Sequence, residues 1–174
     1  MKRQFLLLSI AVSFVVMSCQ KAVISNAEEI ASKANVSAKN TENNVPFTGD
    51  YVTTAQFPEG TPLHQIITGR GRATHMGESI FVADAKLTPV GPPPTPVPFT
   101  GTATFTAANG DQFFTQFTGL STPTGPTTSR GDINHTIIGG TGRFSNATGT
   151  LTGLALVTVG NPTNTVSYEG WINY

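Results

Sequence analysis

The sequence has few charged residues and a single cysteine. Ten Lys and Arg residues balance ten Asp and Glu residues, so the formal net charge is zero and only 11% of the chain is charged. The basic residues do not cluster, and a nucleic acid or an anionic surface would need a concentrated positive patch as its partner. Because there is only one cysteine, no disulfide forms within the chain, and packing and sheet hydrogen bonds must hold the fold.

Good helix formers are scarce after residue 46, where Gly, Pro, Thr and Phe are abundant instead. Patterns typical of catalytic and metal sites are missing too. The 3 histidines follow no usual metal-ligand spacing, and no G-x-S-x-G nucleophile motif occurs. We therefore predict no catalytic residue, no metal site and no cofactor. We expect all the histidines to lie at the surface or to pack within strands: His64, His75 and His135.

The N-terminus carries the features of an export signal. Met1-Lys2-Arg3 precede the uncharged run Phe5–Val16, which is shorter than the about 20 apolar residues that a membrane-spanning helix needs. The next residues, Val16-Met17-Ser18-Cys19, resemble the lipobox of bacterial lipoproteins. That resemblance implies cleavage before Cys19 and a diacylglyceryl thioether on its sulfur. The expected partner is then a membrane of the bacterial envelope, in a Gram-negative cell the outer one, contacted through the lipid anchor.

Beyond the cleaved signal, residues 1–18, we predict a lipidated flexible tether over 19–46 and one domain over 47–174. The tether has no aromatic residue up to Asn44 and is rich in Ala, Ser, Asn, Lys and Glu. From Phe47 onward, short alternating runs separated by turn signals are typical of a sandwich or a barrel. The predicted strands are Asp50–Gln56, Leu63–Thr68, Arg72–Met76, Ser79–Thr88, Thr100–Ala107, Asp111–Thr118, Ile133–Ile138, Thr150–Val159 and Thr165–Asn173.

Two connections are specific enough to predict in form. Asn109-Gly110 is a strong hairpin signal, because both residues tolerate positive φ. The segment Gly91–Pro96 contains too many prolines for a central strand. We expect it to be a stiff, extended surface loop.

A glycine-rich signature near the C-terminal third resembles that of the dirigent proteins and the related stretch of allene oxide cyclases. Its residues are Gly139, Gly140, Thr141, Gly142, Arg143, Phe144, Ala147 and Gly149. A second block, Ala73-Thr74-His75-Met76-Gly77, resembles an element of bacterial exported proteins with the same type of barrel. The resemblance implies an all-β fold: a closed antiparallel barrel of about eight short strands with an apolar cavity, in a homo-oligomer that is often a trimer.

In the resembling families the cavity serves cyclisation of a fatty-acid epoxide or the steering of phenoxy-radical coupling, but no catalytic residue of theirs matches a position here. The signature itself predicts a turn, in which small residues let Phe144 pack back beneath it. We expect the interior to be lined by His75, Phe105, Phe113, Phe117 and Tyr168. The leading interpretation is a module that binds a small apolar ligand or serves as a structural or surface element. The alternative is an isomerase, a cyclase or a dirigent-like protein that acts on an apolar substrate inside the barrel.

Overall fold

The computed structural model describes residues 44–58 and 60–174. The predicted signal peptide, the lipidated Cys19 and the tether up to residue 43 lie outside the described residues. The described chain folds into strands β1 Val45–Gln56, β2 His64–Ala73, β3 Gly77–Leu87, β4 Val97–Thr106, β5 Gln112–Pro123, β6 Thr128–Gly140, β7 Thr148–Thr158 and β8 Asn164–Asn173. A short 3₁₀ turn, Gly142–Phe144, joins β6 to β7.

The strands form a closed antiparallel barrel in which each strand pairs with its neighbours in sequence. β1 closes the barrel against β8, and Val45 to Thr53 pair in continuous register with Ile172 to Asn164. Closure leaves no sheet edge, which is the economical solution for a chain with many short strands. The predicted closed barrel of about eight strands is confirmed.

The main error in the predicted strands concerns β2. The predicted break at Gly69-Arg70-Gly71 does not exist, because β2 runs unbroken through it to Ala73, and the next three residues form the turn to β3. These glycines serve close packing: a Cβ on Gly69 would lie 2.0 Å from the Phe81 ring, and one on Gly71 would lie 1.9 Å from a backbone oxygen of β1. The strand predicted over Arg72–Met76 is therefore wrong.

Smaller differences concern boundaries and connections. β1 begins at Val45, so the last two residues assigned to the tether belong to the barrel. The Asn109-Gly110 hairpin is confirmed, with positive φ at Gly110 only (89°) and an Ala107 N–H to Asp111 C=O hydrogen bond of 2.9 Å. The segment Gly91–Pro96 is an exposed loop, but it is not extended, because the Thr95 N–H donates to the Pro92 carbonyl at 3.0 Å and closes a turn.

Alternation along the strands separates the interior from the surface. In β8, Val166, Tyr168 and Ile172 are at most 5% exposed, whereas Ser167 and Glu169 between them face solvent. The other strands repeat this pattern, and the inward side chains form one core. The buried side chains of the described residues therefore form one cluster inside the barrel.

Candidate functional site

Aromatic side chains that contact one another occupy the interior of the barrel. The Phe105 ring stacks on the Phe113 ring with centroids 4.6 Å apart, and it meets the Tyr168 ring edge-on at 5.4 Å. The rings of Tyr51 and Phe81 also lie against Phe105, at 6.2 and 5.3 Å. These are distances of direct aromatic contact. Ring atoms, rather than a ligand-sized space, therefore surround Phe105.

Four of the five side chains predicted to line a pocket share this interior. They are at most 6% exposed: Phe105, Phe113, Phe117 and Tyr168. Large interior rings that were not included in that prediction complete the packing: Phe47, Tyr51, Phe81 and Phe144. Strand alternation was the available signal for Tyr51, which points inward between the outward residues Asp50 and Val52.

His75 does not line the interior, contrary to the sequence prediction. It lies on the exposed turn between β2 and β3 with φ +64°, where strand alternation has ended. Its ring Nε2 is 3.1 Å from the Pro46 carbonyl oxygen, and its backbone oxygen accepts a hydrogen bond from Arg143. His75 therefore belongs to the structure that closes one end of the barrel.

His135 is the interior histidine. It is 3% exposed and lies among the rings of Phe117, Tyr168 and Phe105, with centroids 5.0, 5.2 and 6.0 Å away. Its Nδ1 is hydrogen-bonded to the Thr115 hydroxyl at 2.8 Å, whereas its Nε2 is buried and has no partner among the described residues. The signal was present in the sequence, since His135 alternates in phase with Ile133 and Ile137 on β6.

Burial sets the ionisation of the interior groups. It lowers the pKa of His135 from 6.5 to about 4, so the imidazole is neutral at pH 7. Burial, and secondarily Tyr51, raises the pKa of Tyr168. Burial also raises the pKa of Tyr51, partly opposed by the hydrogen bond with Ser79, at 2.9 Å, and aided by Asp50. All of these side chains are uncharged at neutral pH.

Few polar side chains lie inside the barrel. Among the described residues, the buried polar side chains other than tyrosine are Thr53, Ser79, Thr115 and His135, so the set contains no carboxylate. General acid–base catalysis requires a group with a pKa near the working pH and space for a reacting atom within hydrogen-bond reach. Burial lowers the pKa of His135 to about 4, and the rings of Phe117 and Tyr168 pack against its imidazole.

Two adjoining grooves lie on the outer surface, over the short side chains of β8. One has a volume of about 340 Å³ and the other about 540 Å³, and they share Asp50, Leu154 and Ser167. Val52 and Leu156 give the smaller groove apolar walls, with Arg70 at its rim. In the larger groove Arg130 is already paired with Asp132 at 2.6 Å. Charges of both signs line these grooves, so the grooves favour neither an anionic nor a cationic ligand.

The glycine signature closes the end of the barrel at the β6–β7 connection. Gly139 and Gly140 end β6, where the register with β5 shifts by one residue, and Gly149 is the second residue of β7. Gly142 has φ +55°, and a Cβ there would lie 1.8 Å from an Asp111 carboxylate oxygen. Phe144 and Ala147 are buried beneath the turn. In the signature, Thr141 also helps to close the turn, since its backbone N–H donates to the Gln112 carbonyl at 2.7 Å.

Arg143 ties this end together. Its guanidinium lies 4.7 Å from the centre of the Phe144 ring and 6.0 Å from that of Tyr174, donates to the His75 backbone oxygen, and lies 3.6 Å from Asp111. One side chain thus joins three connections and the C-terminus. The signature and the second block, which resembles exported barrels, are parts of one structural closure.

Comparison with known proteins adds no relative: neither a family model nor a curated protein matches this chain. The residues that the structure describes contain no group of three or more His, Cys, Asp and Glu side chains that could hold a metal ion. Within the same residues, no helix has the length and apolar character required to cross a membrane.

Proposed function

We propose that this chain is a lipid-anchored protein of the bacterial envelope whose barrel is a solid module for display at a membrane surface. The observation that carries the proposal is the filled interior: the Phe105 ring contacts Tyr51, Phe81, Phe113, His135 and Tyr168 within 6.2 Å. Eight-stranded barrels are just wide enough for side chains to fill.

The other two roles fit the interior less well. A ligand carrier needs a cavity of roughly 300 Å³ or more with mostly apolar walls, and the cavities of that size described above lie outside the barrel. A cyclase or isomerase needs a convergent acid or base, and the one interior imidazole is covered by rings. A display module needs neither feature.

The membrane anchor is the second part of the proposal, and it is supported by the lipobox-like Val16-Met17-Ser18-Cys19. Stable anchoring needs more than one acyl chain, which the thioether-linked diacylglyceryl group would supply. We expect Cys19→Ala to abolish acylation and cleavage. The measurement is mass spectrometry of the protein extracted from a bacterial host, where the parent chain should begin at an acylated Cys19. A mature chain that retains residues 1–18, or one with a free thiol, would contradict the anchor.

The filled interior is tested on the same extracted protein by native mass spectrometry with a small apolar probe such as benzene. We expect the parent chain to carry no interior ligand and to bind no probe. The matched control is Phe105→Ala, which opens a dry cavity of the kind that takes up benzene. A stoichiometric apolar metabolite released from the parent chain on unfolding would refute the solid module and favour the ligand carrier.

A further inference from the structure

The two ends of the barrel differ in composition. One end, called here the proline-rich end, consists of the connections β1–β2, β3–β4, β5–β6 and β7–β8, which are residues 57–63, 88–96, 124–127 and 159–163. Glu59 is the only charged residue in these connections by sequence. The opposite end holds the three other connections, which include His75, Asp111 and Arg143, together with Val45 and the C-terminus.

Apolar side chains project from the proline-rich end. Phe57 and Leu63 in the first connection are 49% and 44% exposed, Val90 in the second is 66% exposed, and Val159 in the last is 72% exposed. Isolated exposed apolar residues need no explanation, but several of them at one end of a domain with few charges mark a surface for binding or for contact with lipid.

We propose that the proline-rich end is a membrane-docking surface, which inserts its apolar loop tips into the interface of the lipid bilayer. Two observations favour lipid over a protein partner. The apolar side chains stand on three separate connections, so they form several projections from this end of the barrel. The near absence of charge also removes the desolvation cost that ionised groups impose at a bilayer.

Other features of this end fit the same role. Phe, Leu and Val enter the interfacial region favourably, and prolines on the loops limit the ordering cost of insertion. Exposed Lys86 lies near the end of β3, at the border of the proline-rich end, and there we expect its cation to pair with lipid phosphates. The inference rests on the proposed function, because an acyl anchor at Cys19 holds the domain at the bilayer and makes weak insertion effective.

The test uses the full acylated chain in vesicles of phosphatidylethanolamine and phosphatidylglycerol. Acylation blocks the sulfur of Cys19, the one native cysteine. A single introduced cysteine is therefore the only thiol that reacts with an environment-sensitive bimane label. The label is placed at the proline-rich end with Val159→Cys, or at the opposite end with Ala108→Cys, where the native side chain is also exposed. Lipid-attached nitroxides then quench any label that enters the interface.

We expect quenching at position 159 to exceed quenching at position 108 by roughly twofold or more. Adding Phe57→Ser and Leu63→Ser should abolish the difference, whereas the control Ile138→Ser, which also removes an exposed apolar side chain, should preserve it. Equal quenching at the two labels overturns the docking surface. The docking surface is also overturned if the fluorescence of the label at position 159 changes with the amount of protein per vesicle and not with the amount of nitroxide lipid. That result would indicate contact with a second copy of the chain.

The two proposals fail differently in this experiment. A chain that does not sediment with the vesicles lacks its anchor, which refutes the proposed function and the docking together. A chain that sediments normally but shows equal quenching at positions 159 and 108 keeps the anchor and refutes only the docking surface.

Discussion

Acidification should destabilise this barrel through His135. The imidazole is buried, and its pKa is lowered from 6.5 to about 4 by burial. The unfolded chain therefore binds a proton that the folded chain rejects between these two values, so stability falls as the pH drops from about 6.5 to about 4. The full loss is about 3 kcal/mol at 1.36 kcal/mol per pKa unit, and about 2 kcal/mol of it has accrued by pH 5.

The sign of the effect follows from the surroundings of the ring. Phe105, Phe117 and Tyr168 face it, and its one hydrogen-bond partner is the neutral Thr115. None of these groups offers a negative charge to an imidazolium, so protonation has no compensation inside the barrel. A loss of this size is a large share of the 5–15 kcal/mol that typically separates folded from unfolded domains.

The assay is urea unfolding followed by circular dichroism at pH 7, 6 and 5. Because carboxylates also titrate on acidification, the diagnostic quantity is the difference between the parent chain and the double variant Thr115→Val, His135→Leu. That variant removes both partners of the buried hydrogen bond, which avoids leaving one of them unsatisfied. We expect it to lose about 2 kcal/mol less than the parent between pH 7 and 5.

The matched control is His75→Asn, which alters a histidine on the exposed turn and keeps a residue that tolerates positive φ. It should retain the pH dependence of the parent chain. If the double variant instead shows the same pH dependence as the parent, the buried imidazole is not the acid-sensitive group and the reasoning fails.

Two further predictions concern stability. Gly142→Ala should lower the free energy of unfolding in urea by about 2 kcal/mol more than Gly60→Ala does. Both glycines have positive φ, but of the two only Gly142 would place a Cβ within 4 Å of another atom, in the Asp111 carboxylate. Equal losses would mean that the contact with Asp111 does not matter. Phe105→Ala should lower the free energy of unfolding by about 3–5 kcal/mol, because the Phe105 side chain is fully buried. The control Val90→Ala, at an exposed position, should change it by less than about 0.5 kcal/mol. A loss below about 1 kcal/mol for Phe105→Ala would show that the interior is loosely packed.

The fold was predictable where local chemistry and burial agree. Alternation in β8 and the Asn-Gly hairpin both specify the observed structure, because one face of each strand is buried and Gly110 takes the positive φ of its turn. The failure at Gly69-Arg70-Gly71 has a tertiary cause. These glycines make room for the Phe81 ring and for the backbone of β1, and a local reading of glycine as a turn signal contains no information about such neighbours.

The interior was only partly predictable for a related reason. Alternation identifies which residues point inward, and it correctly grouped Phe105, Phe113, Phe117 and Tyr168. It does not show whether the inward rings touch, since that depends on rotamers and on how far the strands are staggered. His75 was misplaced because a motif suggested its importance, although the turn that contains it interrupts alternation. His135, which obeys alternation, is the histidine that the strand pattern places inside.

The position of the signature limits what the resemblance to dirigent proteins and allene oxide cyclases can support. Its residues close one end of the barrel, where Arg143 joins Phe144, Tyr174, Asp111 and the His75 carbonyl. These contacts hold the β6–β7 connection against two other connections and the C-terminus. Activity would instead depend on interior residues, which the signature, apart from Phe144 and Ala147, does not include. The signature residues therefore determine how this barrel is closed, whereas the aromatic packing around Phe105 determines what its interior can do.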